Sequence, residues 1–268
     1  MSVQVPPADA RRGSLFGDTW VVAKRGLQHI RRQPEALSDV TLQPIMFVLL
    51  FAYVFGGAID VQGGSYREFL MGGIFAQTIV FGAFGVAISL AYDRSNGAID
   101  RFRSLPLARG SVLAGHAVAS LLRALLPIIL MSLCGLVVGW RINTGLADAV
   151  AAYALMIGFS FAIIWVGVLM GSLLPSPEAV QGVAFTAIFP ITFIASTFVP
   201  VETLPGVLRT FAEWNPVTTL FGNPSAIQGP DAPWSIQHPV IYSLIWMVGI
   251  IGVCAPLAVR AYNRTIAD

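Results

Sequence analysis

The chain has 268 residues, 56% hydrophobic and 11% charged, with a mean hydropathy of +0.73. That composition excludes an ordinary soluble domain and predicts a membrane protein. Sixteen Lys+Arg against 14 Asp+Glu leave a net charge of +2, too small to imply a nucleic-acid partner.

Residues 1–39 lack the apolar core of a cleavable signal peptide. Phe16, Trp20, Ala23, Leu27 and Ile30 instead recur at three- and four-residue spacing, with Lys24, Arg25, Gln28, Arg31 and Arg32 off that face, until Pro34 stops the pattern. This predicts an amphipathic helix lying in the headgroup plane; a plain basic topology anchor is the alternative.

A bilayer core of about 30 Å takes about 20 apolar residues of helix, because every backbone polar group must be paired within the segment. Six runs qualify: Val40–Ile59, Phe69–Tyr92, Ala124–Trp140, Ala149–Leu174, Ala179–Val201 and Pro239–Val259. They occupy about half the chain, which leaves no room for a soluble catalytic domain. The expected organisation is an interfacial segment 1–39, a six-helix all-α membrane domain 40–259 and a tail 260–268. The third run is the shortest, and Ser111 to Arg123 is expected to extend it, with Arg123 at the headgroup level. Of the cations in the flanking segments, twelve fall on the side of the termini and three, Arg67, Arg141 and Arg209, on the other. Both termini are therefore expected in the cytoplasm.

Chemistry is conspicuously missing. None of the six runs contains Asp, Glu, Lys, Arg or His, so a proton relay, metal site or acid–base pair within them has no members. His29, His116 and His238 lack metal-ligand spacing, and Asp93 and Asp100 stand too far apart for a magnesium-diphosphate motif. Cys134 and Cys254, inside long apolar runs, read as packing residues rather than as a disulfide or thiolate site. The only lysine, Lys24, follows Trp-Val-Val-Ala, which is no phosphate-cradling glycine loop. Any energy the protein uses must come from a gradient or from another molecule.

The stretch from Asp93 to Pro106 is more informative. After a turn at Asn96-Gly97, Ile99, Phe102 and Leu105 recur every third residue beside Asp100, Arg101, Arg103 and Ser104. A docking helix for a soluble partner and a solvated loop fastened by its own apolar residues both fit that pattern. Further on, Gly135/Gly139 and Gly167/Gly171 each form a GxxxG pair that lets helices approach closely; packing within the subunit and a dimer seam both fit. In the outer segment, Leu204, Val207, Leu208 and Phe211 fall on one side of a short helix, with Arg209 and Glu213 on the other.

Asn96 to Arg109 (NGAIDRFRSLPLAR) resembles the signature loop of type-2 ATP-binding-cassette exporter permeases of the daunorubicin-resistance class. Thr41 to Gly57, Ser176 to Ala179 and Val199 to Thr218 extend the likeness over nearly the whole chain, whereas Asn223-Pro224 and Gly229-Pro230-Asp231 depart from it. The resemblance implies a permease in the bacterial cytoplasmic membrane, paired with a second permease copy. It also implies a separate nucleotide-binding ATPase that holds the ATP and Mg; no cofactor is expected in this chain.

In such permeases the loop after the second span is the coupling helix. The resemblance thus assigns ATPase coupling to Asp93, Arg94, Gly97, Ile99, Asp100, Arg101, Phe102, Arg103, Leu105 and Pro106, and a second contact to the short loop with Pro175 and Glu178. It implies short re-entrant outer helices, with Leu204, Leu208 and Phe211 as an outer gate; an ordinary interfacial loop anchored by Trp214 and Trp234 is the alternative. A hydrophobic or amphiphilic cargo, be it drug, antibiotic or lipid, would pass spans lined by Gln43, Phe47, Tyr53, Phe185, Phe189 and Phe193. The competing function is a gradient-driven secondary carrier or channel, for which the proline interruptions at Pro127 and Pro190 are the one hint. A membrane-embedded transferase would need acid clusters that are absent from the runs.

Overall fold

The computed structural model describes residues 20, 42, 44–50, 53, 66–95, 111–142, 144–195, 204–221 and 233–267. Among the described residues there are helices and no strands. The helices are α1 (Tyr66–Ser95), α2 (Ser111–Val138), α3 (Leu146–Leu173), α4 (Pro177–Ile194), α5 (Gly206–Glu213), α6 (Pro216–Phe221), α7 (Trp234–Gln237) and α8 (Pro239–Ala267).

Among the described residues, four stretches are long and apolar enough to cross a membrane: Leu70–Ser95 in α1, Leu113–Val138 in α2, Leu146–Leu173 in α3 and Pro239–Tyr262 in α8. They correspond to the second, third, fourth and sixth apolar runs. The fifth run forms α4, with 18 helical residues. The first run is described only at 42, 44–50 and 53, where it is helical. Of the expected interfacial segment, Trp20 alone is described, helical and exposed; the rest of that prediction lies outside the described residues.

Local chemistry explains where these helices stop and start. Gly139 adopts φ 103°, a conformation costly for any residue with a Cβ. Its N–H reaches the Leu136 carbonyl at 3.3 Å while the Trp140 N–H reaches Gly135 at 2.8 Å, the paired bonds that close a helix C-terminus. Arg141 Nη1 donates to the Leu136 and Trp140 carbonyls at 2.6 and 2.9 Å. At the start of α4, Ser176 accepts the Ala179 N–H at 3.2 Å, and Pro177 follows where a missing N–H costs nothing. Pro127 and Pro190 do not break their helices, which run on through them.

α3 is the hub, packing on α1, α2, α4 and α8. Lipid gives apolar helices no hydrophobic reason to associate, so close backbone approach has to supply the contact energy. Gly167 and Gly171 provide it. A Cβ at Gly167 would collide with the Ala83 carbonyl, and one at Gly171 would lie 2.6 Å from the Ala87 carbonyl oxygen and 3.0 Å from Leu90 Cβ. This GxxxG pair is therefore a seam between α3 and α1 inside the chain. The other pair divides its roles: Gly135 packs under Met71, whereas Gly139 ends α2. Cys134 and Cys254 are free, half-buried and packed against the core clusters.

Leu90 of α1, Leu113 of α2, and Ala258 and Tyr262 of α8 share one cluster with Trp165 and Val168 of α3. The end of α1, the start of α2 and the ends of α3 and α8 therefore lie together, so α1, α2 and α3 alternate in direction while α8 runs parallel to α3.

Gly167→Val should destabilise the chain by about 1–3 kcal/mol through overpacking of the α1–α3 seam. Gly182→Val, where an added Cβ meets nothing within 4 Å, should be close to neutral. Thermal unfolding of the two purified variants in one detergent checks the difference.

Candidate functional site

Two parts of the bundle carry the predicted site residues. The first is the end where α1 and α3 terminate and α4 begins. The last carbonyls of a helix lack intrahelical donors. Arg94, in the last turn of α1, donates from Nη1 to the Ser172 carbonyl of α3 at 2.8 Å. Ala87 and Ala91 of α1 pack with Val180 of α4, with Met170 and Leu174 against them. The structure thus brings Asp93 and Arg94, at the root of the predicted coupling loop, to the same end as Pro175 and Glu178. Glu178 is exposed, and its own backbone N–H, then the Ser176 hydroxyl, hold its carboxyl below the usual range. A negative charge in the first turn of α4 suits the helix dipole. Gly97, Ile99, Asp100, Arg101, Phe102, Arg103, Leu105 and Pro106 lie outside the described residues.

The second part is a cavity of about 600 Å³ over the face of α1, between α2 and α4, within the size range of small-molecule sites. Its apolar wall includes Phe47, Ile74, Phe81, Phe84, Ile164 and Phe185. Gln77, Thr78, Ser120, Arg123 and Ser160 are the polar members. Thr78 donates to the Met131 sulfur at 3.1 Å, which ties α1 to α2 behind the wall. Phe84 and Phe185 meet edge to face, with ring centroids 5.8 Å apart.

Of the six residues predicted to line the pathway, Phe47 and Phe185 line this cavity. Tyr53 is 70% exposed and lines neither this cavity nor the one beneath α5 and α6. Gln43 and the side chains of Phe189 and Phe193 lie outside the described residues.

Arg123 departs from its expected place at the headgroup level. It is the thirteenth of the 28 residues of α2, near the middle of that helix, and stands on the cavity wall. The sequence signal for this was present: Ser111 to Arg123 and Ala124 to Val138 form one continuous helix, so a cation at their junction is a mid-helix cation. Phe84, Gln77 and Thr78 carry no comparable signal in the sequence, because α1 reads as almost continuously apolar with no marked face.

A second cavity, of about 350 Å³ and almost wholly apolar, lies beneath α5 and α6 and is lined by Phe159, Ile191, Phe211, Trp214 and Trp246, among others. Ala83 and Phe84 line both cavities, so Phe84 stands between them. Phe211, a predicted gate residue, lines the second; Leu208 is exposed on the same short helix, and Leu204, just before that helix, is half-buried. The Arg209–Glu213 pair, 2.9 Å, lies on the other face as the spacing predicts.

These short helices are fastened through orphan carbonyls. Buried Asn215 donates from Nδ2 to the Ile191 carbonyl at the end of α4, 2.9 Å, while its Oδ1 accepts the Val217 N–H at 2.9 Å and caps α6. Tyr242 Oη donates to the Trp214 carbonyl at 2.5 Å, and Ser235 Oγ to Glu213 at 2.7 Å.

The ABC-2 type transporter family model matches residues 17–227. The daunorubicin resistance ABC transporter permease protein DrrB1 of Streptomyces coeruleorubidus is 29% identical over 241 residues, 90% of this chain and 84% of that protein. The probable doxorubicin resistance ABC transporter permease protein DrrC of Mycobacterium tuberculosis is 28% identical over 261 residues, 96% and 93% of the two chains. A putative transport permease, ycf38, of Cyanophora paradoxa is 25% identical over 205 residues, 75% and 70%.

Asn215→Ala should cost about 1–3 kcal/mol, since it leaves the buried Val217 N–H unpaired and removes the tie to the Ile191 carbonyl. Faster hydrogen exchange across α6, with exchange in α3 unchanged, checks it. The chain belongs to the ABC-2 type transporter family and is a multi-pass membrane permease of an ABC exporter.

Proposed function

We propose that this ABC-2 permease exports hydrophobic or amphiphilic small molecules, of the drug, antibiotic or lipid kind, and is driven by a separate ATPase. The observation that carries the reading is the 600 Å³ cavity, walled by Phe47, Phe84 and Phe185 and set at mid-height in the bundle. The names of the relatives, which speak of daunorubicin and doxorubicin resistance, support a greasy cargo.

Six spans make up the working subunit. α1, α2, α3, α4 and α8 are five of them, and the helix through 44–50 belongs to the first. Both termini face the cytoplasm of a bacterial cell, residues 1–39 lie along the membrane surface and 260–268 form the tail. Two permease copies enclose the pathway, and ATP with Mg is bound and hydrolysed by the partner subunits.

Coupling enters at the end of the bundle where Arg94 holds the Ser172 carbonyl. The ATPase grips the segment from Asp93 to Pro106, through Ile99, Phe102 and Leu105 with Asp100, Arg101 and Arg103 around them, and touches Pro175 and Glu178. Because α1 and α3 are locked by glycine contacts, a push on that end moves the cavity wall as a unit. At the other end, α5 and α6 dip back among the spans as re-entrant helices, and Leu204, Leu208 and Phe211 close the outer mouth. Cargo passes from the larger cavity to the smaller by way of Phe84.

Replacing Asp100 and Arg101 together by alanine should abolish stimulation of the partner ATPase and lower export, with membrane expression and permease pairing unchanged. Co-purification, ATP turnover in proteoliposomes and dye efflux read the three effects; full coupling in the double variant would remove the loop from the mechanism.

A further inference from the structure

Among the described residues, Arg123 is the only charged one on the wall of the larger cavity. Its Nε is shielded from the surroundings and has no hydrogen-bond partner, and it makes no salt bridge among the described residues. Among the described residues no Asp or Glu lines the cavity. Of the neighbours on its own helix, Leu121, Leu122, Ala124, Leu125 and Leu126 are apolar, Ser120 one turn earlier is neutral, and half-buried His116 two turns earlier carries no negative charge.

A guanidinium does not lose its proton at such a place. A half-buried guanidinium whose Nε is cut off from water and unpaired is costly unless something pairs with it. Among the described residues nothing anionic stands on the wall, so the pairing is left to whatever fills the cavity. The polar side chains nearby, Gln77, Thr78, Ser120 and Ser160, are neutral. Pro127, also on the wall, has no N–H to give to the carbonyl of Arg123 one turn earlier, so this turn of α2 is polar in its backbone as well.

We infer that the cavity selects amphiphiles with a single anionic head, a carboxylate or a phosphate group, the head pairing with Arg123 and the apolar body lying against Phe84 and Phe185. The fork of the guanidinium matches both heads. A cationic amphiphile of the same shape would meet a like charge in a medium that screens it poorly. This specificity rests on the reading of the cavity as the cargo pathway, and names the chemistry of the cargo that reading leaves open.

The test uses the full chain in phosphatidylcholine nanodiscs and two probes with one body: pyrenebutyrate, and pyrene bearing a trimethylammonium on the same arm. Binding is followed by energy transfer from tryptophan to pyrene, with empty nanodiscs as the blank. The anion should bind at least about tenfold tighter than the cation, the order of one charge-assisted contact. Arg123→Gln should erase that ratio and Arg123→Lys should keep most of it, while Phe185→Ala should weaken both probes alike. If Arg123→Gln does not fold, the ratio in the unaltered protein decides by itself.

Equal binding of the two probes, lost together in Phe185→Ala, would overturn this inference and leave the pathway standing. A ratio that persists in Arg123→Gln would overturn it as well. Binding of neither probe would overturn both. Phosphatidylglycerol placed in the nanodisc and decanoate added from water separate the sources of the anion. Displacement of pyrenebutyrate by the first assigns a membrane lipid, displacement by the second alone a free amphiphile, and displacement by neither counts against an anionic site.

Discussion

The close approach of α3 to α1 is the contact on which the rest of the bundle depends. Between apolar helices in lipid, only surface that fits atom to atom holds one helix to another. Gly167 and Gly171 remove the side chains that would keep the Ala83 and Ala87 carbonyls away. The helices that line the larger cavity are arranged around that seam: α2 and α4 each pack on both α1 and α3. With α1 fixed in this way, the space between α2 and α4 stays open as a cavity rather than being filled by a sliding helix.

The seam also positions function along its length. Ala83, which touches Gly167, is followed by Phe84, whose ring faces both cavities and the ring of Phe185. One and two turns below, Ala87 and Ala91 admit Val180 of α4, and at the end of α1 Arg94 completes the carbonyl of Ser172. A rigid strut therefore runs from the proposed ATPase contact to the residue between the cavities. A second theme is the use of side chains to finish helix ends. Arg94, Arg141, Asn215, Ser235 and Tyr242 each donate to a carbonyl at or just past the end of a helix, where backbone donors run short. Where water is scarce these bonds are strong, and they fix loops that would otherwise be free.

Legibility differed by feature. The helix over Gly206–Glu213 followed from the spacing of Leu204, Val207, Leu208 and Phe211, and its Arg209–Glu213 pair from their separation of four. The burial of that helix did not follow the same pattern. Val207 is 85% exposed while Ala212 is fully buried, because α5 is held by its carbonyls and by Asn215 rather than by its apolar face. Phe47 and Phe185 were picked for their aromatic rings, a property equally shared by Tyr53, which lines neither cavity. Ring chemistry names candidates; it says nothing about which side of a helix faces a gap.

The sequence by itself determined the membrane class, the approximate limits of α1, α3 and α8 and the family likeness, since each depends on residues adjacent in the chain or on total apolar length. The tertiary structure decided which faces of nearly uniform apolar helices meet. In such helices the polar–apolar alternation that marks a buried face in water is missing, so small differences in side-chain volume replace it. It also decided the place of Arg123. An apolar run counted in residues stops at a charge, but a helix does not, and whether that charge meets headgroups or a cavity depends on neighbours that are far away in the chain.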